Sequence, residues 1–282
     1  MQYRKLGQTD LTLSVIGLGG VTIMKESQEQ ADRTVAEAYD AGITYFDVAP
    51  QYQDAQQLMG PALKPYRDKV SLACKTLERT AEGSARELED SLAKLCTDHF
   101  DLYQMHAVSS LDEAKQLLGP GGAIETFQKA KEAGKVRYIG FSAHDQDAAL
   151  HLIESGQFDS ILFPLNYTMM TKGGFGPAVL DAANRRGMGI LSIKAIARTK
   201  VDKWENRPYD KCWYEPEDRP EVAHLLLRYT MNLPGVTATV PPGDPGLFRM
   251  VLGYADQLDP LTDDELATLQ DALTTAEPLF PK

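Results

Sequence analysis

The chain has 282 residues, 43% of them hydrophobic, enough for a sizeable core, and its formal net charge of −11 and pI near 5.0 come with no long basic stripe for a nucleic acid. Cys74, Cys96 and Cys212 are odd in number, widely spaced and free of any CxxC pairing; this argues against a disulfide scaffold and against a zinc or iron–sulfur site, so no metal is expected, and it fits a reducing cytoplasm. The opening MQYRKLGQTD lacks the apolar centre of a secretory signal, and no apolar run approaches the roughly 20 residues of a membrane span, so no membrane partner is expected.

The chain opens with a hairpin from Tyr3 to Leu13, in which Leu6, Leu11 and Leu13 flank the turn Gly7-Gln8-Thr9-Asp10. Short apolar runs then recur at Val15–Leu18, Thr44–Val48, Val70–Cys74, Leu102–Met105, Val136–Phe141, Ser160–Phe163, Gly189–Ile193 and Val236–Val240. Helical spacing fills the intervals at Gln28–Tyr39, Ser84–Leu95, Ala123–Ala133, Ala148–Glu154, Ala178–Arg185 and Val222–Met231. Glycines such as Gly42, Gly134 and Gly187 close these helices before the next strand. A last helix is expected over Thr262–Ala276, with Leu266, Leu269 and Leu273 facing inward.

Eight continuously apolar strands alternating with helices predict an α/β fold, a (β/α)8 TIM barrel with an N-terminal β-hairpin and a C-terminal extra helix. No GxGxxG opens the first helix, which counts against a Rossmann sheet. With no linker or low-complexity stretch, residues 1–282 read as a single domain. The connection after the seventh strand, from Ala197 to about Pro220, is long and carries Trp204, Tyr209, Trp213 and Tyr214. It is either an aromatic wall over a pocket or a loop packed on its own rings.

In such a barrel the chemistry sits at the C-terminal ends of the strands. Strand two ends in Asp47, with Tyr52 on the following loop; strand three ends in Lys75 and strand four in His106. Each has an ordinary structural explanation alone. Together they bring a carboxylate, an ammonium and an imidazole to one rim. A lysine beside a phenol stabilises the phenolate, so the Tyr52 pKa is expected to fall from about 10 toward neutrality, with Asp47 holding Lys75 charged. Tyr52 then serves as general acid toward a carbonyl oxygen, and His106 orients the carbonyl. No side chain donates a hydride, so a nicotinamide cofactor is expected.

Three motifs stand out: Gly42-x-x-x-Phe46-Asp47-x-Ala49-x-x-Tyr52, then Lys75, then Asp101-Leu102-Tyr103-x-x-His106. Supporting stretches are Ile16-Gly17-Leu18-Gly19, Gly134-Lys135-Val136-Arg137-x-Ile139-Gly140-x-Ser142 and Leu233-Pro234-Gly235-Val236-Thr237. Together they resemble the aldo-keto reductase superfamily over essentially the whole chain. The resemblance implies NADPH-dependent reduction of aldehydes and ketones, with a catalytic tetrad at Asp47, Tyr52, Lys75 and His106.

The resemblance also implies a cofactor site at Gly19, Gly20 and Val21 after strand one, Ser142 after strand five, Lys194 after strand seven, and Pro242 and Gly243 after strand eight. The asparagine that follows the family's serine is here Ala143, and Arg249 falls where the family places an arginine against the 2′-phosphate. Arg249 is either that contact or a helix-surface arginine; Lys194 either pairs with a phosphate or lies on the surface. His144, Trp204 and Trp213 are expected near the substrate. The chain runs only to Pro281-Lys282, so specificity is expected to rest mainly on the aromatic loop rather than on a tail.

The reading is an NADPH-dependent carbonyl reductase, with NAD also possible, acting on a small-molecule carbonyl substrate as a monomer or small homo-oligomer. Two alternatives stay open. One is non-redox elimination or isomerisation by the same acid–base group, and the other is a cofactor-sensing binding subunit.

Overall fold

The apolar runs become parallel strands in the computed structural model, which describes residues 1–201, 203, 205 and 207–280. The opening hairpin pairs β1 (Tyr3–Lys5) antiparallel with β2 (Thr12–Ser14). Its Leu6, Leu11 and Leu13 plug the barrel from below, packing with Leu102, Leu162 and Leu191 from the strands. Gly7 lies at φ +52°, and a Cβ there would meet the Gly189 nitrogen at 2.3 Å. The hairpin turn therefore sits directly on the backbone entering the seventh barrel strand, a contact only glycine allows.

The barrel strands are β3 (Leu18–Gly19), β4 (Tyr45–Asp47), β5 (Ser71–Thr76), β6 (Phe100–Val108), β7 (Val136–Ala143), β8 (Ser160–Pro164), β9 (Gly189–Ile193) and β12 (Val236–Val240). Among the described residues they form one eight-stranded sheet ordered β3-β4-β5-β6-β7-β8-β9-β12. A parallel bridge between Ile16 and Thr239 joins its edges, with Gly17 N donating to Thr239 O and Thr239 N to Val15 O, both at 2.9 Å. The first strand is thus shorter than its apolar run because Val15–Ile16 turn to the eighth strand. The fourth is longer than its run, reaching Val108.

The helices follow as α1 (Gln28–Asp40), α2 (Ala55–Leu63), α3 (Ala81–Lys94), α4 (Leu111–Leu118), α5 (Ala123–Glu132), α6 (Gln146–Glu154), α7 (Pro177–Arg185), α8 (Pro220–Met231), α9 (Pro245–Leu252) and α10 (Asp263–Ala272). Local chemistry starts them: Ser27–Gln30 and Thr262–Glu265 form capping boxes for α1 and α10, and Thr80 and Asp145 cap α3 and α6. Arg228 of α8 grips both oxygens of Glu265 at 2.6 and 2.9 Å and seats α10 against the barrel. None of the described helices is long and apolar enough to cross a membrane.

The connection after β9 is not irregular throughout. β10 (Ala197–Thr199) pairs antiparallel with β11 (Glu215–Pro216), which brings the two ends of the excursion together at the rim. At the opposite rim, Asp101 at the start of β6 is buried. It accepts from Arg67 at 3.0 Å, Arg137 at 2.7 Å and the Leu72 N–H at 2.9 Å.

Candidate active site

Strand alternation aims Tyr45 and Asp47 at the same face of β4, the inside of the barrel. The Tyr45 hydroxyl donates to Asp47 Oδ2 at 3.0 Å. Lys75, fully buried on β5, donates to Asp47 Oδ1 and reaches Val48 O at 3.5 Å. Burial opposes the lysine's charge, but Asp47, helped by Tyr52, prevails and holds the ammonium above its ordinary range.

Tyr52 sits on the loop between β4 and α2, with Lys75 Nζ 5.5 Å from its ring centre. Burial raises its pKa, Lys75 pulls the other way, and Asp47 adds to the rise, so the phenol ends above its usual value rather than near neutrality. This corrects the expectation from sequence. The carboxylate that fixes Lys75 also neutralises it, so the pair offers Tyr52 too little positive field to offset desolvation.

His106, near the end of β6, meets Tyr52 edge to face, with ring centres 5.8 Å apart. Its Nδ1 lies 2.9 Å from Gln51 Oε1, and its carbonyl accepts from Arg79 at 2.8 Å. Burial, then the positive charges led by Lys75, push its pKa well below the usual value and keep it neutral. The backbone is tight around these groups. Of the five described non-glycine residues at positive φ, Gln53 follows Tyr52, Ala107 follows His106, and the third is Lys194. Such a conformation costs about 1–2 kcal/mol per residue and collects where a site over-determines the chain.

Tyr52, Lys75 and His106 open onto a cavity of about 590 Å³. Ser142 of β7 and His144 just after it continue its wall, and Trp213 and Tyr214 of the long loop overhang it. The Ser142 Oγ accepts from Ala107 N at 2.7 Å, which leaves its O–H to donate. Trp213 is 54% exposed, so it rims the cavity rather than filling it. Trp204 lies outside the described residues. The tail does reach the site, contrary to expectation. Leu279 and Phe280 line the cavity, and Phe280 stacks on His144 with ring centres 5.1 Å apart. Burial, then Lys194, lowers the His144 pKa to about 3.

A narrow groove of about 100 Å³ continues from Tyr52 past Gly19, Val21, Pro242 and Gly243. A Cβ on Gly243 would strike Val21 Cγ1 at 2.3 Å, and one on Gly19 would meet Val240 Cγ1 at 2.7 Å, so the groove depends on bare backbone. Gly20 lies behind it, against Val48. Lys211 of the long loop crosses the groove to Glu26 at 2.7 Å and Thr22 O at 2.9 Å. Lys194 faces both spaces. Arg249 faces neither; it is half exposed on α9, with its guanidinium against Glu37 at 2.9–3.1 Å.

A model of the Aldo/keto reductase family matches residues 15–273. The chain belongs to this family. The fold matches that of the aldo-keto reductase AKR11C1 from Bacillus halodurans in its holo form, at TM-score 0.73 and 21% identity, covering 99% of this chain and 98% of that one. Among curated proteins it is 34% identical over 181 residues to the aldo-keto reductase YhdN of Bacillus subtilis, covering 55% of this chain and 53% of that protein. It is 30% identical over 176 residues to the uncharacterized oxidoreductase YqkF of the same organism, covering 57% and 55%. The chain spans about half the length of these curated relatives.

Within this family member, four contributors escaped the sequence reading: Tyr45, Gln51, Arg79 and Phe280. Tyr45 was readable, because two residues before Asp47 on a strand is the same face. The other three contacts join separate loops and carry no local signal.

Proposed function

We propose that the chain is a nicotinamide-dependent reductase of aldehydes and ketones in which Tyr52 is the proton donor. The observation that carries this reading is the Tyr52 phenol, held protonated beside the buried Lys75–Asp47 pair at the mouth of the cavity. The groove suits an extended cofactor. Gly19, Val21, Pro242 and Gly243 would line it, and the free Ser142 O–H would meet the carboxamide. When bound, a nicotinamide supplies the two electrons of the reduction.

Tyr52 carries its proton at neutral pH and can deliver it to a carbonyl oxygen that becomes an alkoxide. The phenolate left behind faces the Lys75 ammonium, which Asp47 keeps charged and fixed, so the charge appears where a cation already waits. His106, neutral and set edge-on to Tyr52, gives the substrate a polar contact without a second positive charge beside Lys75. Tyr45 keeps Asp47 in place from below. The choice between NADPH and NADH rests on Arg249, which a 2′-phosphate would have to win from Glu37.

NADPH oxidation across a panel of aldehydes, ketones and keto-sugars, alongside fluorescence titration with NADPH, tests the proposal. Turnover with saturable binding is expected. No binding at millimolar cofactor would contradict it and leave the non-redox acid–base reading.

A further inference from the structure

Lys194 is unlike Lys75, the lysine beside Tyr52. Lys75 has Asp47, whereas no described carboxylate pairs with Lys194, and no carboxylate is among the residues lining the cavity. Its ammonium lies 5.6 Å from the centre of the Phe280 ring. Its backbone is held at φ 65°, a conformation a lysine rarely adopts. Two hydrogen bonds to its carbonyl lock that turn, from Asn166 Nδ2 at 3.1 Å and Ala197 N at 2.9 Å. Asn166 is itself buried and fixed by Thr168 and Met169 N, both at 3.0 Å. The chain thus uses a strained turn to aim a cation into an apolar-walled cavity, where an ammonium without a counter-ion is costly.

Resting on the reductase reading, we infer that Lys194 receives an anionic group of the substrate, so that the enzyme acts on aldehydes or ketones that also carry a carboxylate or phosphate. The position of Phe280 favours substrate over cofactor. The ring under the ammonium belongs to the cavity and to the His144 stack, not to the glycine-lined groove. The lysine's surroundings agree: Lys75 is already paired, His106 and His144 are neutral, and Lys200 is bound to Glu277 at 2.5 Å. Burial lowers the Lys194 pKa to about 8, which still leaves it mostly charged at neutral pH, and an anion would restore the lost stabilisation.

The test compares substrates matched in length at pH 7: succinic semialdehyde against butanal, and glyceraldehyde 3-phosphate against glyceraldehyde. Wild type should favour the anionic member of at least one pair by roughly 10- to 100-fold in kcat/KM, mostly through KM, as a charge-assisted hydrogen bond allows. Lys194→Met should erase that preference, and Lys194→Arg should restore most of it. The NADPH Kd from fluorescence titration should change by much less than the substrate preference, although Lys194 also borders the groove. A preference that survives in Lys194→Met overturns the inference, as does a loss confined to the NADPH Kd, which would assign the lysine to the cofactor. A second readout separates failure of this inference from failure of the reductase reading. Succinate or inorganic phosphate should raise the Tm of wild type but not of Lys194→Met, whether or not any aldehyde is reduced. No turnover with that shift intact overturns the reductase reading and keeps the anion site; no shift in wild type overturns the site.

Discussion

Two buried aspartates mark the two rims of the barrel. Asp101 begins β6 and is saturated by two arginines and a backbone N–H; Asp47 ends β4 and is held by one lysine and one tyrosine. Both are nearly inaccessible. Their partners differ in kind. Arginine stays charged, and Arg67 and Arg137 each give one nitrogen to Asp101, so the lower cluster is a fixed tie between strands and the segment before β5. The upper cluster opens on a cavity and is built from a lysine beside a phenol, groups that can take up or give up a proton. The same residue type, equally buried, fastens the fold at one rim and stands beside the proposed proton donor at the other.

The largest expected effect on stability breaks the lower cluster. Asp101→Ala leaves the part-buried Arg67 and the Leu72 N–H without their acceptor, while Arg137 keeps Asp10, and should cost about 3 kcal/mol in stability by urea unfolding. The protein that remains folded should keep its kcat. An equal fall in kcat would show that the two rims are not separable. At the upper rim, Asp47→Asn should lower kcat by roughly 10–100-fold, less than the 10²–10⁴-fold of losing a general acid outright, while NADPH binding persists. Unchanged kcat would mean that Lys75 needs no counter-charge.

The pH profile sharpens the comparison. Tyr52 titrates above its usual value, so its proton is present below that pKa and lost above it. With butanal, which carries no anionic group for Lys194, kcat should hold level from about pH 6 to 9 and fall only above about pH 10. An alkaline loss centred near pH 7 would mean that Lys75 dominates Tyr52 after all. The smallest effect lies on the surface. Glu37→Gln should cost at most about 1 kcal/mol in stability, because the pair is exposed, and should lower the NADPH Kd a few-fold by freeing Arg249. An unchanged Kd would remove Arg249 from the cofactor site.

How much of this was legible in the sequence follows the same division. Strands buried on both faces must be apolar along their length, so the barrel could be counted from its runs. Asp47, Lys75 and His106 stood out because a polar residue ending an apolar strand has few structural reasons to be there. The direction of the Tyr52 pKa was not legible, since it is the difference between burial and two opposing charges whose distances only the fold sets. Neither was the engagement of Arg249, because Glu37 lies on the first helix, far away in sequence. Phe280 left no trace either, as its seat on His144 depends on the path of the tail. Lys194 was visible as a strand-end lysine, but its missing counter-ion emerged only from the cavity around it.

If Tyr52 is the proton donor, Tyr52→Phe must abolish most of the turnover. It removes one hydroxyl and leaves the ring against Lys75 and His106. The kcat for an aldehyde should fall by about 10²–10⁴-fold while the NADPH Kd and the Tm stay at their wild-type values. A variant that reduces the aldehyde at near wild-type rate would contradict that role.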